Sequence, residues 1–152
     1  MTVEITSHDG GDTRAAGRRL AGLLRPGDIV LLNGELGAGK TTFIAGIGEA
    51  LGIAEPVTSP TFVIVRRYDD GFLPLTHADV YRLGSTGEFD DLDLLETGAD
   101  GVTVIEWGEA VAPMIVGDHL KIDLLVDEDG DRLIRLHPQG SWAARPLWEV
   151  AS

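Results

Sequence analysis

The sequence predicts an α/β fold of three layers, with a central sheet that mixes parallel strands and antiparallel hairpins. Three observations carry that expectation. The run Ile29-Val30-Leu31-Leu32 is apolar without alternation, the look of a strand buried on both faces. A glycine-rich stretch comes next, and then Lys40 to Leu51, with Ile44, Ile47 and Leu51 aligned on one helical face. Two further segments each read as strand, turn, strand, which brings antiparallel pairs into the sheet.

In chain order, Val3 to Ile5 is a short strand. Asp12 to Leu24 reads as a helix with Ala16, Leu20, Leu23 and Leu24 on one face, stopped by Arg25-Pro26-Gly27. Asp28 to Asn33 is the buried strand, and Gly52 is placed to cap the helix that ends at Leu51. Phe62 to Tyr68 and Phe72 to Tyr81 flank the turn Asp69-Asp70-Gly71. Ser85, with Glu88 three residues on, forms a capping box opening a short acidic helix to about Leu95. Val102 to Ile105 is a second buried strand, and Leu120 to Val126 pairs with Arg132 to His137 across the turn Asp127 to Asp131. No repeat or linker interrupts the chain, so residues 1–152 read as one domain with 139–152 as a C-terminal tail, whose Trp142 and Trp148 read as packing on the core.

Composition narrows the function classes. With 43% hydrophobic and 24% charged residues the chain is an ordinary globular one, and no stretch approaches the roughly 18 apolar residues of a membrane span. The segment Met1 to Ser7 lacks the basic start and apolar run of a signal peptide. Cysteine is absent, which rules out disulfides and thiolate metal sites and fits a cytoplasmic protein. A net charge of −13 is repelled by phosphate backbones, so any nucleic acid would be held by a partner. The pairs Arg18-Arg19 and Arg66-Arg67 read as residues on solvated faces.

The central motif is Gly34-Glu35-Leu36-Gly37-Ala38-Gly39-Lys40-Thr41, a full G-x-x-x-x-G-K-[ST] between a strand and a helix. Its glycines let the backbone curl so that amide groups form an anion-binding nest, and the helix adds its positive end. Lys40 is the point charge for the β- and γ-phosphates, Thr41 offers a hydroxyl to Mg²⁺, and Thr42 neighbours the α-phosphate. The expectation is a P-loop NTPase domain binding ATP with Mg²⁺.

Two carboxylates end strand-like runs and could complete a metal site. Glu106 closes Val102-Thr103-Val104-Ile105, as a Walker B residue would, and Asp79 lies in His77-Ala78-Asp79-Val80-Tyr81. Mg²⁺ takes oxygen ligands, so both are candidates, although each is also an ordinary strand-end carboxylate in a chain with 25 acidic residues. Asp127 reads as a turn residue, and His77 as a hydrogen-bonded structural histidine in preference to a catalytic base.

Four blocks stand in the order and spacing of one family: Gly34 to Phe43, Thr58-Ser59-Pro60-Thr61-Phe62, His77 to Leu83, and Val104-Ile105-Glu106-Trp107-Gly108-Glu109. Together they resemble the TsaE (YjeE) family, the bacterial P-loop ATPase of tRNA threonylcarbamoyladenosine (t6A) biosynthesis. The resemblance covers roughly Asp12 to Glu109 well and is looser beyond. It implies that Lys40 and Thr41 hold phosphate and Mg²⁺, and that Glu106 is the Walker B-like carboxylate. Asp79 would be a second acidic group, on the metal through water or positioning the attacking water. Ser59 and Thr61 would act as a switch segment near the γ-phosphate, and Trp107 would lie beside the site. The nucleotide's base would be approached by about Thr13 and Gly130 to Arg132. The implied partners are TsaD and TsaB, with tRNA reached only through them and no membrane involved; ATP hydrolysis would gate or reset their complex.

The residues themselves leave rival readings. A small-molecule kinase would want a basic lid, and no such cluster exists among twelve Lys and Arg residues. A GTPase would carry N-K-x-D, which is absent. A non-catalytic, ATP-dependent clamp on the partners stays open. Arg82 reads as a surface residue before it reads as an arginine finger, so turnover by the chain alone is expected to be slow and partner-stimulated.

Overall fold

A computed structural model describes residues 2–35, 37–57, 65–80, 96, 98–107, 112–115 and 117–151. The strands are β1 (Val3–Ser7), β2 (Ile29–Gly34), β3 (Val65–Tyr68), β4 (Leu75–Asp79), β5 (Val102–Glu106), β6 (His119–Val126) and β7 (Arg132–Gln139). The helices are α1 (Gly10–Ala21) and α2 (Lys40–Ala50), with 3₁₀ segments at Ala112–Met114, Gly140–Ala144 and Leu147–Ala151. The strands form one sheet in the order β1-β7-β6-β2-β5-β4-β3. Its centre, β6-β2-β5-β4, is parallel, while β3 and β7 are joined antiparallel by hairpins and β1 pairs antiparallel with β7. This is the mixed α/β sheet the sequence predicts.

Alternation along the central strands sorts side chains onto two faces. Val30, Leu32, Val104, Leu120 and Ile122 pack with Ala16 and Leu20 of α1 and with Phe43, Ile44 and Ile47 of α2. Leu31, Ala78, Val80 and Ile105 turn to the opposite face and pack with Ile115. The two helices touch almost backbone to backbone: a Cβ on Gly46 would lie 2.1 Å from the Arg14 carbonyl oxygen, and one on Gly17 would lie 2.1 Å from that of Phe43. Only glycine fits at such a crossing.

Several boundaries differ from expectation for identifiable reasons. Helix α1 begins at Gly10, before Asp12, because Asp9 is its N-cap, accepting from the Asp12 amide at 2.8 Å. Phe72 to Pro74, expected in a strand, belong to the turn: the Phe72 amide donates to the Leu51 carbonyl at 2.6 Å, so a sheet partner cannot take it. Helix α2 ends at Ala50 with Leu51 as its cap, one residue earlier than expected, and Gly52, with φ +80°, follows the cap. Trp142 is buried as expected, but Trp148 is 60% exposed. Arg19, read as solvated, is half-buried and donates to the Val150 carbonyl at 2.7 Å, while Arg145 holds Asp28 with contacts of 2.5 and 2.8 Å and lies over the Trp142 ring. These contacts fasten the C-terminal segment to α1 and to the start of β2. The helix expected over Ser85 to Leu95 lies outside the described residues. Among the described residues no helix is long and apolar enough to cross a membrane.

Candidate nucleotide-binding site

Parallel neighbours end at the same edge of a sheet, so the segments that leave them are gathered there. The loop after β2 begins at Gly34, β5 ends at Glu106 and β4 at Asp79. Asp79 and Glu106 are register partners, and Glu106 is also the partner of Leu32, two residues before the loop. The sheet therefore brings together three groups that are far apart in sequence.

The loop has the backbone its glycines predict. Gly37 and Gly39 have φ of +82° and +102°, a region that disfavours any side chain. A Cβ on Gly34 would lie 2.9 Å from the Leu124 carbonyl oxygen, so β6 leaves room for nothing larger. Ala38 is buried, and Glu35 and Thr41 are exposed. Helix α2 opens at Lys40 with Gly39 as N-cap, which has no side chain to cap the first-turn amides, and no acidic residue sits in that turn. Those amides and the helix dipole make an anion site.

Lys40 is only 6% exposed. Its Nζ donates to the Gly34 carbonyl at 2.5 Å and lies 3.6 Å from the centroid of the Trp107 ring. Burial pushes the ammonium below the ordinary lysine pKa, and the nearby Glu106 and Asp79 carboxylates pull it partly back. Trp107 has φ +62°, the one non-glycine residue with positive φ among those described, and its amide donates to the Leu32 carbonyl at 2.8 Å. A bulky residue held in the left-handed region marks stored strain, here spent on laying the indole over Lys40.

Glu106 is 3% exposed and its Oε2 accepts from His77 Nε2 at 2.6 Å. Since a carboxylate only accepts, the proton of that bond is on Nε2. His77 is thus the hydrogen-bonded structural histidine expected, but its partner is the proposed metal carboxylate, a link that sequence reasoning missed. No local signal could have shown it, because His77 and Glu106 meet only through the pairing of β4 with β5. His77 Nδ1 is buried without a hydrogen-bond partner among the described residues.

Beside the loop lies a cleft of about 240 Å³. It is lined by His8, Gly10 and Thr13, by Gly37, Gly39 and Thr42, and by Gly130 and Arg132. Thr13 and the Gly130 to Arg132 segment are thereby brought next to the phosphate loop. Leu36, Ser59, Thr61, Arg82 and Glu109 lie outside the described residues.

A glycine nest at the end of a central parallel strand, a buried lysine opening the next helix, and carboxylates ending the adjacent β5 and the β4 beyond it define a P-loop nucleotide-binding protein. Comparison with known proteins gives the family. A family model described as "Threonylcarbamoyl adenosine biosynthesis protein TsaE" matches residues 7–134. The tRNA threonylcarbamoyladenosine biosynthesis protein TsaE of Streptomyces coelicolor is 51% identical over 126 residues, covering 79% of this chain and 84% of the relative. That of Bacillus subtilis is 40% identical over 130 residues, covering 86% and 82%. A crystal structure of Bacillus subtilis YdiB superposes with a TM-score of 0.81 at 32% identity, covering 98% of this chain and 93% of that one. The chain belongs to the TsaE family of threonylcarbamoyl adenosine biosynthesis proteins.

Proposed function

We propose that this chain binds ATP with Mg²⁺ and hydrolyses it, serving the machinery that makes threonylcarbamoyladenosine on tRNA by gating or resetting a complex of TsaD and TsaB. The observation that carries this reading is the convergence of Lys40, Glu106 and Asp79 at one glycine-lined strand edge. The family name supports the pathway, and the net charge of −13 fits a cytoplasmic component that reaches tRNA only through partners.

The donor set suits the metal. Thr41, Glu106 and Asp79 offer only oxygen, the ligand Mg²⁺ prefers, and two carboxylates are what such sites use when phosphate and water supply the rest. Among the described residues no group of three or more His, Asp or Glu side chains could hold a metal unaided. Thr41, Glu106 and, directly or through water, Asp79 would hold the ion, which would supply charge neutralisation at the phosphate oxygens.

The chain's own groups do the rest. Loop amides and the start of α2 bind phosphate oxygens, and Lys40 adds its charge to those that become more negative as the γ-phosphoryl leaves. Trp107 covers Lys40 and keeps water from it. His77 holds the Glu106 carboxylate in one orientation, leaving it or Asp79 to orient the attacking water. The adenine side of the nucleotide would occupy the cleft between Thr13 and Arg132. Arg132 directs Nε, Nη1 and Nη2 to main-chain carbonyls, which ties the guanidinium to the loop backbone and sets it apart from an arginine finger. Turnover by the chain alone should therefore be slow.

Phosphate release measured with the chain alone, and then with TsaD and TsaB, tests this. Slow turnover that the partners accelerate, lost in Glu106→Ala, is the expected result; fast turnover by the lone chain contradicts it. If Glu106→Ala blocks turnover yet leaves the tRNA modification intact in cells, the nucleotide acts as a clamp and hydrolysis is incidental.

A further inference from the structure

Arg132 opens β7, an interior strand held by β1 on one side and β6 on the other, with Ser7 and Val126 as its register partners. Its side chain leaves that scaffold and reaches the phosphate loop. Nε donates to the Ala38 carbonyl at 3.1 Å, Nη2 to the Gly37 carbonyl at 3.0 Å, and Nη1 to the Gly130 carbonyl at 2.5 Å. One planar guanidinium therefore ties two successive peptides of the loop to the tip of the β6–β7 hairpin. We propose that Arg132 is a positioning residue for nucleotide binding: it holds the Gly37–Gly39 backbone in its phosphate-binding shape and thereby sets nucleotide affinity.

Peptide geometry supplies the reason. In a trans peptide the carbonyl and the next N–H point in opposite directions, so fixing one aims the other. Holding the Ala38 carbonyl fixes the Gly39 amide, in a residue that lines the cleft. Holding the Gly37 carbonyl fixes the Ala38 amide, which donates to Glu35 at 3.0 Å and closes the turn opening the loop. These are the peptides that most need such help. Gly37 and Gly39 both sit at positive φ, and glycine has many other conformations of similar energy. Without the guanidinium, the loop would sample those alternatives and ligand binding would have to order it, which weakens affinity. A lysine could substitute only in part, because its ammonium keeps the charge but is a point on a flexible stem and cannot brace two carbonyls in one plane.

This inference deepens the nucleotide-binding reading and rests on it. Calorimetric titration of the purified chain with Mg²⁺–ATP and with ADP tests both, using wild type, Arg132→Gln and Arg132→Lys, with the melting temperature of each recorded without nucleotide. The expected result is a dissociation constant raised about 10- to 100-fold in Arg132→Gln, and raised but by less in Arg132→Lys. The stoichiometry should stay near one, and the two nucleotides should be affected alike. A residue that merely stabilised the fold would instead lower the fraction of competent protein, leaving the dissociation constant of the remainder unchanged; that outcome, or wild-type affinity in both variants, overturns the proposal. Should Arg132→Gln yield no folded protein, Arg132→Lys decides by the same criterion. Failure of wild type to bind either nucleotide would overturn the underlying reading itself, and so would be distinguishable.

Discussion

Replacing His77 probes the link between the sheet and the proposed metal carboxylate. The His77–Glu106 bond is 2.6 Å long between side chains that are 0% and 4% exposed. A hydrogen bond to a charged group contributes about 1.5–3 kcal/mol, and stripping a buried charge of its partner costs about 3–5 kcal/mol at the upper end. His77→Leu fills similar space without a donor, so a loss of about 2–4 kcal/mol is expected. For a chain of 152 residues that lowers the melting temperature by roughly 4–15 °C. Function should suffer separately. A carboxylate released from its orienting partner binds metal more weakly, by about 10- to 100-fold in comparable sites, so the Mg²⁺ concentration needed for half-maximal ATP hydrolysis should rise by that factor. His77→Gln keeps an N–H donor and should retain most of both properties. The assays are thermal unfolding and phosphate release against Mg²⁺ concentration. If His77→Leu matched the wild-type Mg²⁺ requirement, His77 would not be orienting Glu106 for metal binding.

Three further perturbations address the helix crossing, the C-terminal segment and the loop lysine. Gly46→Ala drives a methyl group to within 2.1 Å of the Arg14 carbonyl, so α1 and α2 must separate; despite better helix propensity, a net loss of about 1–3 kcal/mol should appear as a lower urea midpoint. Asp28→Ala leaves Arg145 buried without its carboxylate and should cost about 3–5 kcal/mol, whereas the double variant Asp28→Leu with Arg145→Met should recover much of that. Faster proteolysis of the segment after Gln139 would accompany the single variant. Lys40→Met should abolish nucleotide binding while raising the melting temperature at neutral pH. The sign comes from the lowered pKa: the folded protein disfavours the charged form, so that cost is fully present below the folded pKa and is relieved as pH rises from there toward the ordinary lysine value. The gap between variant and wild type should accordingly close on the alkaline side, as monitored by melting temperature against pH.

Features that rest on neighbouring residues were legible in the sequence. The apolar run before Gly34, the glycines and the helix after them are one continuous stretch, and each part specifies its own backbone. The ending of β5 was legible for the same reason, as an apolar run closed by Glu106, whereas β4 was expected to run past Asp79 to Tyr81. Their adjacency was not legible, because the order β2-β5-β4 depends on which strands find each other across the chain. Phe72 to Pro74 show how a tertiary contact overrides propensity: the aromatic and apolar residues suit a strand, but the Leu51 carbonyl takes the Phe72 amide and bends the chain away. Arginines were the least legible. Arg19 read as a surface charge, Arg132 only as a neighbour of the nucleotide's base, and Arg145 gave no signal, yet each reaches main-chain carbonyls from a partly or largely buried position. A long side chain with a forked donor group chooses partners by distance, which composition does not encode.

The same locality explains how a chain with net charge −13 can present a site for a triphosphate. Charges on the outer surface are screened beyond about 8–10 Å in physiological salt, so they bear on encounters with nucleic acid and little on the floor of a cleft. Within the site the balance is set by a few groups: the Lys40 ammonium, the amide ends of α2, and the Arg132 guanidinium favour an anion, while Glu106 and Asp79 oppose it. At an effective dielectric of about 20, a carboxylate roughly 6 Å from a phosphate charge repels it by about 3 kcal/mol. Two such carboxylates would offset much of the attraction one lysine provides, and a site built only to hold phosphate would do better without them. Their presence makes sense if a divalent cation stands between carboxylate and phosphate and turns both repulsions into attractions. The unfavourable pair at the ends of β4 and β5 is therefore the strongest electrostatic reason to propose a metal-dependent nucleotide site here and not a simple phosphate cradle.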